Sequence, residues 1–515
     1  MPSAPGSSCY GGTGGTPAPR VLPSVLPMWP RTFLVLCTLC ILAAHPVDVF
    51  PAPVGPAAGA GESWFIVRIG DVPVGTASER WSEEAGVILF RAHMNINFTR
   101  MGTPLAMSIV AEETCDSQGE FRGARMESSV SNLRASAVLA GDSVHYESSA
   151  GGSTHRRTLA WDPAAATEMR ARERVRAWLA GAAPETTVTN FDVADGSFHR
   201  QRLVRRATER RTVAGAERDL TVVDQFDDDA TTATSTTWCA EDGEEVRTVV
   251  RQLGVEIVIE RVTADELATL EIESSFDIIR QSMVRCEGFP TPVARLDRVT
   301  LLLEFATEPP REPMDGPNQA EVSRDGRSVR LTLTRETAQR VNADRDDLAI
   351  FLRPDRFVQS DDATLRAVAD SLRAATGTGG WPLARAVAAF VNRHIAHKGM
   401  EHGYDSALDV YRTRAGDCTE HSLLAVALLR AAGIPARPAV GLAYGSAEGA
   451  FVGHMWVEAY VDYWRTLDAL DLALDPIRIR VHAPKPSETL GERDLMRAYS
   501  EVAGVVIRVV DHRSN

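Results

Sequence analysis

The sequence predicts an α+β chain, with antiparallel β-rich domains first and a mixed unit of helices and strands at the C-terminal end. Three observations carry this expectation. Apolar residues recur with a period of two from Trp64 to about residue 357, the signature of half-buried strands. At Asp361 the period lengthens, and Leu365, Val368, Ala369 and Leu372 recur at helical spacing. Beyond Pro435 short alternating segments return around His454 and Asp468.

A chain of 515 residues suggests about three domains. The texture divides it into an N-terminal extension with a signal or anchor segment (1–45), a Pro/Ala/Gly linker (46–62), a β-rich domain (63–284), a small β unit (285–358) and a C-terminal domain (359–515). Apolar residues at 44% and charged residues at 24% are those of a globular protein that buries a core. A net charge of −14 argues against nucleic acid and anionic membrane surfaces as partners. Lys398 and Lys485 are the only lysines, a bias from which no function follows.

Residues 1–27 are rich in Gly, Pro and Ser and show no periodicity. Arg31 then precedes the apolar run Phe33 to Ala44, the layout of a secretory signal and short for a bilayer span. Met28 is a plausible start of translation. No small-x-small cleavage site follows, so the segment either directs export or stays as an inner-membrane attachment. Either way the expected location is the periplasm or cell envelope.

In the β-rich domain, Ile88, Phe90, Ala92, Met94, Ile96 and Phe98 alternate with Arg91, His93, Asn95 and Asn97. A short helix is expected over Ala164 to Leu179, and Val255, Ile257 and Ile259 mark a later strand. Cys115 and Cys239 each stand just before a turn, which makes them the candidate disulfide pair among Cys115, Cys239 and Cys286. Asp227-Asp228-Asp229 reads as a solvated acidic loop rather than a cation site. Asn97-Phe98-Thr99 is a glycosylation sequon by spelling, but it lies within a strand and no sugar is expected. In the small unit, Val299, Leu301, Leu303 and Phe305 alternate, as do Val329, Leu331 and Leu333 after an Asp325-Gly326 turn.

The C-terminal domain opens with the Leu365 helix and a second helix starting at Trp381-Pro382, with Leu383, Val387, Phe390 and Val391 on one side. A third helix follows Gly416-Asp417-Cys418. Asp417 is a good N-cap and Gly433 a good C-cap. Cys418 then sits in the first helical turn, where backbone dipoles favour a thiolate and free N–H groups suit an oxyanion. His454 comes 36 residues later and Asp468 another 14. An odd three-residue loop over Asp462 to Trp464 puts His454 and Asp468 on one sheet face, whereas a two-residue turn separates them and leaves Asp471 as the acid. His421, one helical turn from Cys418, raises a Cys–His–His metal site with His402 or His454, which lacks the regular ligand spacing that zinc needs. Asp417 is expected to cap rather than catalyse, and Trp456 to line the core or cleft. Glu420 and His421 line the site or pack beneath it.

Four segments together resemble a known family. Gly-Asp-Cys-Thr-Glu-His, the helix end Arg-Ala-Ala-Gly-Ile-Pro-Ala-Arg, Gly-His-Met-Trp-Val-Glu and Trp-x-x-x-Asp-Ala are similar to the bacterial transglutaminase-like superfamily, over roughly residues 361–480. The resemblance implies a papain-like core with Cys418 as nucleophile, His454 as general base and later acid, and Asp468 orienting the imidazole. It implies acyl transfer through a thioester on protein or peptide amides, with no cofactor and no metal. Water as acceptor makes a peptidase or amidase; an amine makes a protein cross-linking enzyme. A non-catalytic envelope binding protein is the alternative from another class. Oligomeric state and a second oxyanion donor are not assigned by these residues.

Overall fold

Long antiparallel ladders organise the first half of the molecule. The computed structural model describes residues 62–514 apart from 101, 130–132, 151–152, 214–215, 228–232, 242, 253–254, 273–275, 307, 311, 336–344, 400–404, 485–497, 500 and 503. The expected signal segment and most of the linker lie outside the described residues, as do Asp228, Asp229, His402 and Lys485. No helix among the described residues is long and apolar enough to cross a membrane.

A fifteen-stranded sheet spans Glu62 to Val262. Successive hairpins extend it in one direction from Glu62–Ile69 to Ser153–Ala160. From the other edge of Glu62–Ile69 it runs back through Val255–Val262 to Ala165–Ala166. The alternation in Val87–Arg100 is realised: Ile88, Phe90, Ala92, Met94, Ile96 and Phe98 are buried. The sheet curls until its two ends meet. Tyr146 near one end donates its hydroxyl to the Ala194 carbonyl near the other, at 2.8 Å. Phe191 and Val193 share an apolar core with Phe90, Met94 and Tyr146.

The expected helix forms at Glu168–Ala180, capped by Thr167, whose side chain accepts from Arg170 N–H. It packs on the sheet and inserts Arg172 between Glu79 (3.2 Å) and Glu168 (2.9 Å), over the rings of Trp81 and Phe90. Burying one cation among several carboxylates favours neutral acids. Burial pushes Glu113 up to about 7 and Glu168 and Glu245 to about 8, against the pull of Arg172.

The disulfide expected between Cys115 and Cys239 is not made. Both are free and buried, as is Cys286. The two similar turns sit far apart in the sheet, because Cys115 lies next to the end of Thr103–Asp116 and Cys239 ends Ser235–Cys239, which are not neighbours. Cys239 instead fills an apolar cluster with Val175 and Trp178 of the helix. Burial pushes the Cys115 thiol up to about 12 and that of Cys239 well above its usual value, so both are inert packers.

The C-terminal half has two further sheets. A four-stranded sheet holds Gln319–Asp325, Ser328–Thr334 and Leu296–Glu304. Its fourth strand, Val506–Ser514, arrives from the far end of the chain. A five-stranded sheet holds Ala436–Gly445, Ala450–Val461, Tyr463–Leu467, Arg478–His482 and the short Val284–Arg285, which pairs with Phe451 and Ala450. Against it lies Cys418–Ala431, where every residue from Glu420 to Leu429 is buried. A helix buried on every side needs cover all round. The sheet covers one flank; Ala363–Thr376, Gly380–His394 and Ala407–Thr413 cover the rest.

Candidate active site

The site grows from the start of the central helix. Gly416 holds φ at +142°, and a Cβ there would stand 2.3 Å from the Glu420 Cβ, so only glycine fits this approach. Asp417 is the N-cap, with its side chain accepting from Thr419 N–H at 2.8 Å. Glu420 closes the capping box by accepting Asp417 N–H at 2.8 Å. The helix ends at Ala431, capped by Ala432, with Gly433 at φ +74° one residue further on. Cys418 is the first helical residue and is partly exposed.

Glu420 and His421 pack beneath the site, both fully buried. The other Glu420 oxygen accepts Asp405 N–H at 3.2 Å. Burial and the neighbouring Asp417 and Asp405 carboxylates push Glu420 well above the usual carboxylate range. The His421 ring pairs through Nδ1 with the Asp417 carbonyl at 2.6 Å, and burial lowers its pKa.

His454 lies on Ala450–Val461, which packs directly against the Cys418 helix. Tyr460 pairs with Trp464 and Val461 with Tyr463, so the following turn is odd and centres on Asp462, whose φ is +65°. The turn thus sits one residue earlier than the loop over 462–464 expected from the sequence, and it keeps the odd length that puts His454 and Asp468 on one face. Asp468 reaches the face of His454, and the His454 Nε2 to Asp468 Oδ2 distance is 2.8 Å. Asp471 is not the partner of the histidine. Its N–H donates to Asp468 Oδ1 at 2.9 Å, and its carboxylate pairs with Arg478 at 2.8 Å.

Asp468 is 1% exposed and accepts four hydrogen bonds. Oδ1 takes the Leu470 and Asp471 N–H groups, both at 2.9 Å. Oδ2 takes His454 and the Arg478 Nε, the latter at 2.9 Å. Burial opposes ionisation of Asp468, but His454 and Arg478 outweigh it and hold the carboxyl well below its usual range. Arg478 was not singled out by the sequence. It stands in a short alternating strand with no motif around it, so no local signal marked it.

The thiol is where local reasoning and the folded environment diverge. Burial pushes Cys418 well above its usual value, and the Asp417, Glu420 and Asp468 carboxylates add to this. A hydrogen bond from the backbone N–H of Met455 works the other way. The helix start alone favours a thiolate; the assembled surroundings favour the neutral thiol. Met455 follows His454 directly, so the sulfur lies against the peptide that carries the histidine. Trp456 is buried and flanks the imidazole, with ring centroids 6.0 Å apart.

A cation would find carboxylate and imidazole ligands at Asp192, Asp195 and His199, the one such group among the described residues. These three lie in the N-terminal sheet, where Ser197 already bridges Asp195 and His199. Cys418 and His421 are not part of it, and His402 lies outside the described residues.

Residues 366–469 match the transglutaminase-like superfamily, a span that includes Cys418, His454 and Asp468. Comparison with curated protein sequences returned no match. Among solved structures, the chain is similar to a protein of Cytophaga hutchinsonii described as a "putative cysteine protease", with 20% identity, 43% of this chain and 86% of that one covered, and a TM-score of 0.25. It is also similar to the periplasmic domain of TgpA from Pseudomonas aeruginosa, with 18% identity, 36% and 86% covered, and a TM-score of 0.26. A β-barrel-like protein of Brucella abortus matches with 11% identity, 39% and 95% covered, and a TM-score of 0.31.

Proposed function

We propose that this transglutaminase-like domain is a thiol enzyme acting on protein or peptide amides, with Cys418 as nucleophile, His454 as general base and then acid, and Asp468 orienting the imidazole. One observation carries the reading. His454 is tied to Asp468 at 2.8 Å, on the strand that packs against the helix carrying Cys418. Engaging Nε2 with the acid assigns Nδ1 to the exchange of a proton with sulfur.

The chemistry follows in two halves. The sulfur attacks the amide carbonyl as its proton passes to His454, and charge gathers on the carbonyl oxygen. Asp417 takes the N–H groups of Thr419 and Glu420, so its side chain leaves that of Cys418 for this oxyanion. The intermediate collapses, His454 protonates the departing amine, and a thioester remains. Water activated by the same histidine then releases the acid and restores the thiol, which makes the enzyme a peptidase or amidase. An amine in place of water would make it a transamidase. Surroundings that favour the neutral thiol make the histidine indispensable, because the proton leaves only as attack proceeds.

Helices packed on the five-stranded sheet support a papain-like arrangement of this core. The basic residue and apolar run at Arg31 to Ala44 support export to the periplasm or envelope, with or without retention at the inner membrane.

The test is alkylation of Cys418 by iodoacetamide across pH, followed by peptide mass, in the wild type, His454→Ala and Cys418→Ser. Labelling of the 418 peptide should slow by at least about tenfold in His454→Ala and vanish in Cys418→Ser. Labelling at the rate of a free thiol, indifferent to His454, would point to a non-catalytic binding protein.

A further inference from the structure

Arg100 brings the N-terminal sheet to the thiol site. Arg100 closes the hairpin between Val87–Arg100 and Thr103–Asp116, paired with Thr103. It is 2% exposed, and its guanidinium donates to Asp417 Oδ2 at 2.8 Å across 317 residues of sequence. The hairpin tip is itself fastened. Thr99 N–H donates to the Phe276 carbonyl at 2.7 Å, and Gly102 N–H donates to Asp277 Oδ2 at 2.8 Å. Asp277 caps the short helix Ile278–Ser282, which packs against both the hairpin strand and the His454 strand. The chain then adds Val284–Arg285 to the edge of the His454 strand. Arg100 is therefore placed by backbone contacts, not by a flexible reach.

We infer that Arg100 is a positioning residue of the thiol site: it holds the Asp417 carboxylate and offsets its charge, so that the group capping the Cys418 helix opposes a thiolate on the neighbouring residue less than it would alone. The inference rests on the reading of Cys418 as the nucleophile. Three carboxylates act on the sulfur: Asp417 and Glu420 from its own helix and Asp468 from the end of the strand Tyr463–Leu467. Asp468 is matched by His454 and Arg478, and Glu420 is held by the backbone N–H groups of Asp417 and Asp405. Asp417 is matched from another sheet altogether. A serine or threonine would cap the helix without charge. An aspartate there is compatible with an anionic sulfur only if a cation stays with it, and a buried carboxylate stripped of its cation is strongly unfavourable. The β-rich region thereby contributes to the chemistry of a site that the C-terminal region otherwise builds.

Opposite signs test this in the full-length chain. The pH midpoint of Cys418 alkylation by iodoacetamide is read by peptide mass in the wild type, Arg100→Met, Arg100→Lys, Asp417→Asn and the double variant Arg100→Met/Asp417→Asn. Arg100→Met should raise the midpoint by about one unit, so that labelling below it slows about tenfold. Asp417→Asn should lower the midpoint, the double variant should return near wild type, and Arg100→Lys should stay there. Shifts of the same sign in the two single variants, or an unchanged midpoint in Arg100→Met, would overturn the inference and leave Arg100 a domain-docking contact. If Arg100→Met does not fold, Arg100→Gln, which keeps a hydrogen-bond donor for Asp417 and removes the charge, decides: a raised midpoint supports the inference, and an unchanged or lowered one refutes it. His454→Ala run alongside reports separately on the nucleophile. Labelling indifferent to His454 would remove that reading, while opposed shifts at 100 and 417 would still stand as a property of the thiol.

Discussion

Asp468→Asn keeps the shape of the side chain and removes its charge, yet the structure makes it a severe change. Each carboxylate oxygen faces two donors: Leu470 and Asp471 N–H on one side, His454 and Arg478 on the other. An amide has one acceptor oxygen and one donating NH2, so either orientation sets a donor against donors. At 1% exposure no solvent relieves the conflict. Arg478 keeps Asp471 at 2.8 Å, on a side chain 46% exposed, which softens the loss. Unsatisfied buried groups cost about 1–3 kcal/mol, and a half-broken buried ion pair about 3–5, so a destabilisation of about 3 kcal/mol is expected. The pH dependence has a definite sign. A carboxyl lowered by His454 and Arg478, against the effect of burial, contributes stability above its unfolded pKa near 4 and loses it only as pH falls further. The gap between wild type and variant should therefore be level from about pH 5 to 8 and narrow in stronger acid. Urea unfolding at several pH values measures the gap. Acylation of Cys418 by an activated ester measures the catalytic side, where a loss on the order of 10³–10⁴ is expected when the orienting acid becomes an amide. A variant within about 0.5 kcal/mol of wild type, a change typical of neutral surface sites, that acylates normally would refute the assignment of Asp468 as the group orienting His454.

Two further outcomes follow from buried geometry. Gly416→Ala forces a Cβ into Glu420 at a φ that L-residues avoid, so about 3 kcal/mol of stability and the capping box should be lost together, read as a lower Tm and slower Cys418 labelling. The N-terminal sheet should weaken as pH rises from about 5 to 8. Glu113, Glu168 and Glu245 are raised by burial to about 7, 8 and 8, so the folded state holds protons that the unfolded chain has already released. Glu168→Gln should flatten this slope in thermal unfolding at pH 5.5 and 8; an unaltered slope would mean that Glu168 is ionised beside Arg172 throughout.

What could be read in the sequence was local, and the reason is physical. The Asp417 cap, the Gly433 stop, the alternation of Val87–Arg100 and the parity that joins His454 to Asp468 all depend on residues within one turn or one hairpin. Backbone geometry alone then fixes which side chains share a face. Contacts made across the fold leave no such imprint. Arg100 is one arginine among many, and nothing in its neighbourhood says that it will meet a residue 317 positions away. Arg478 sits in a five-residue strand, and Val506–Ser514 carries no mark that its partner is Leu296–Glu304. The false disulfide has the same origin, since two alike turns say nothing about how many strands lie between them.

The thiol shows what this costs an argument made from sequence. A helix start favours an anion through dipoles that belong to the helix itself, and that much is legible at Cys418. The opposing influences are burial and the Asp417, Glu420 and Asp468 carboxylates, of which Asp468 arrives only with the tertiary fold. The cations that answer two of these acids, Arg100 and Arg478, come from a different sheet and a different strand. Which protonation state wins is therefore a property of the assembled molecule. The same balance bears on the proposed chemistry, in which the site rests as a neutral thiol and reacts from that state. His454 is already held by Asp468, each of those two acids has a matched cation, and in the proposed mechanism only the proton on sulfur remains to move when a carbonyl arrives.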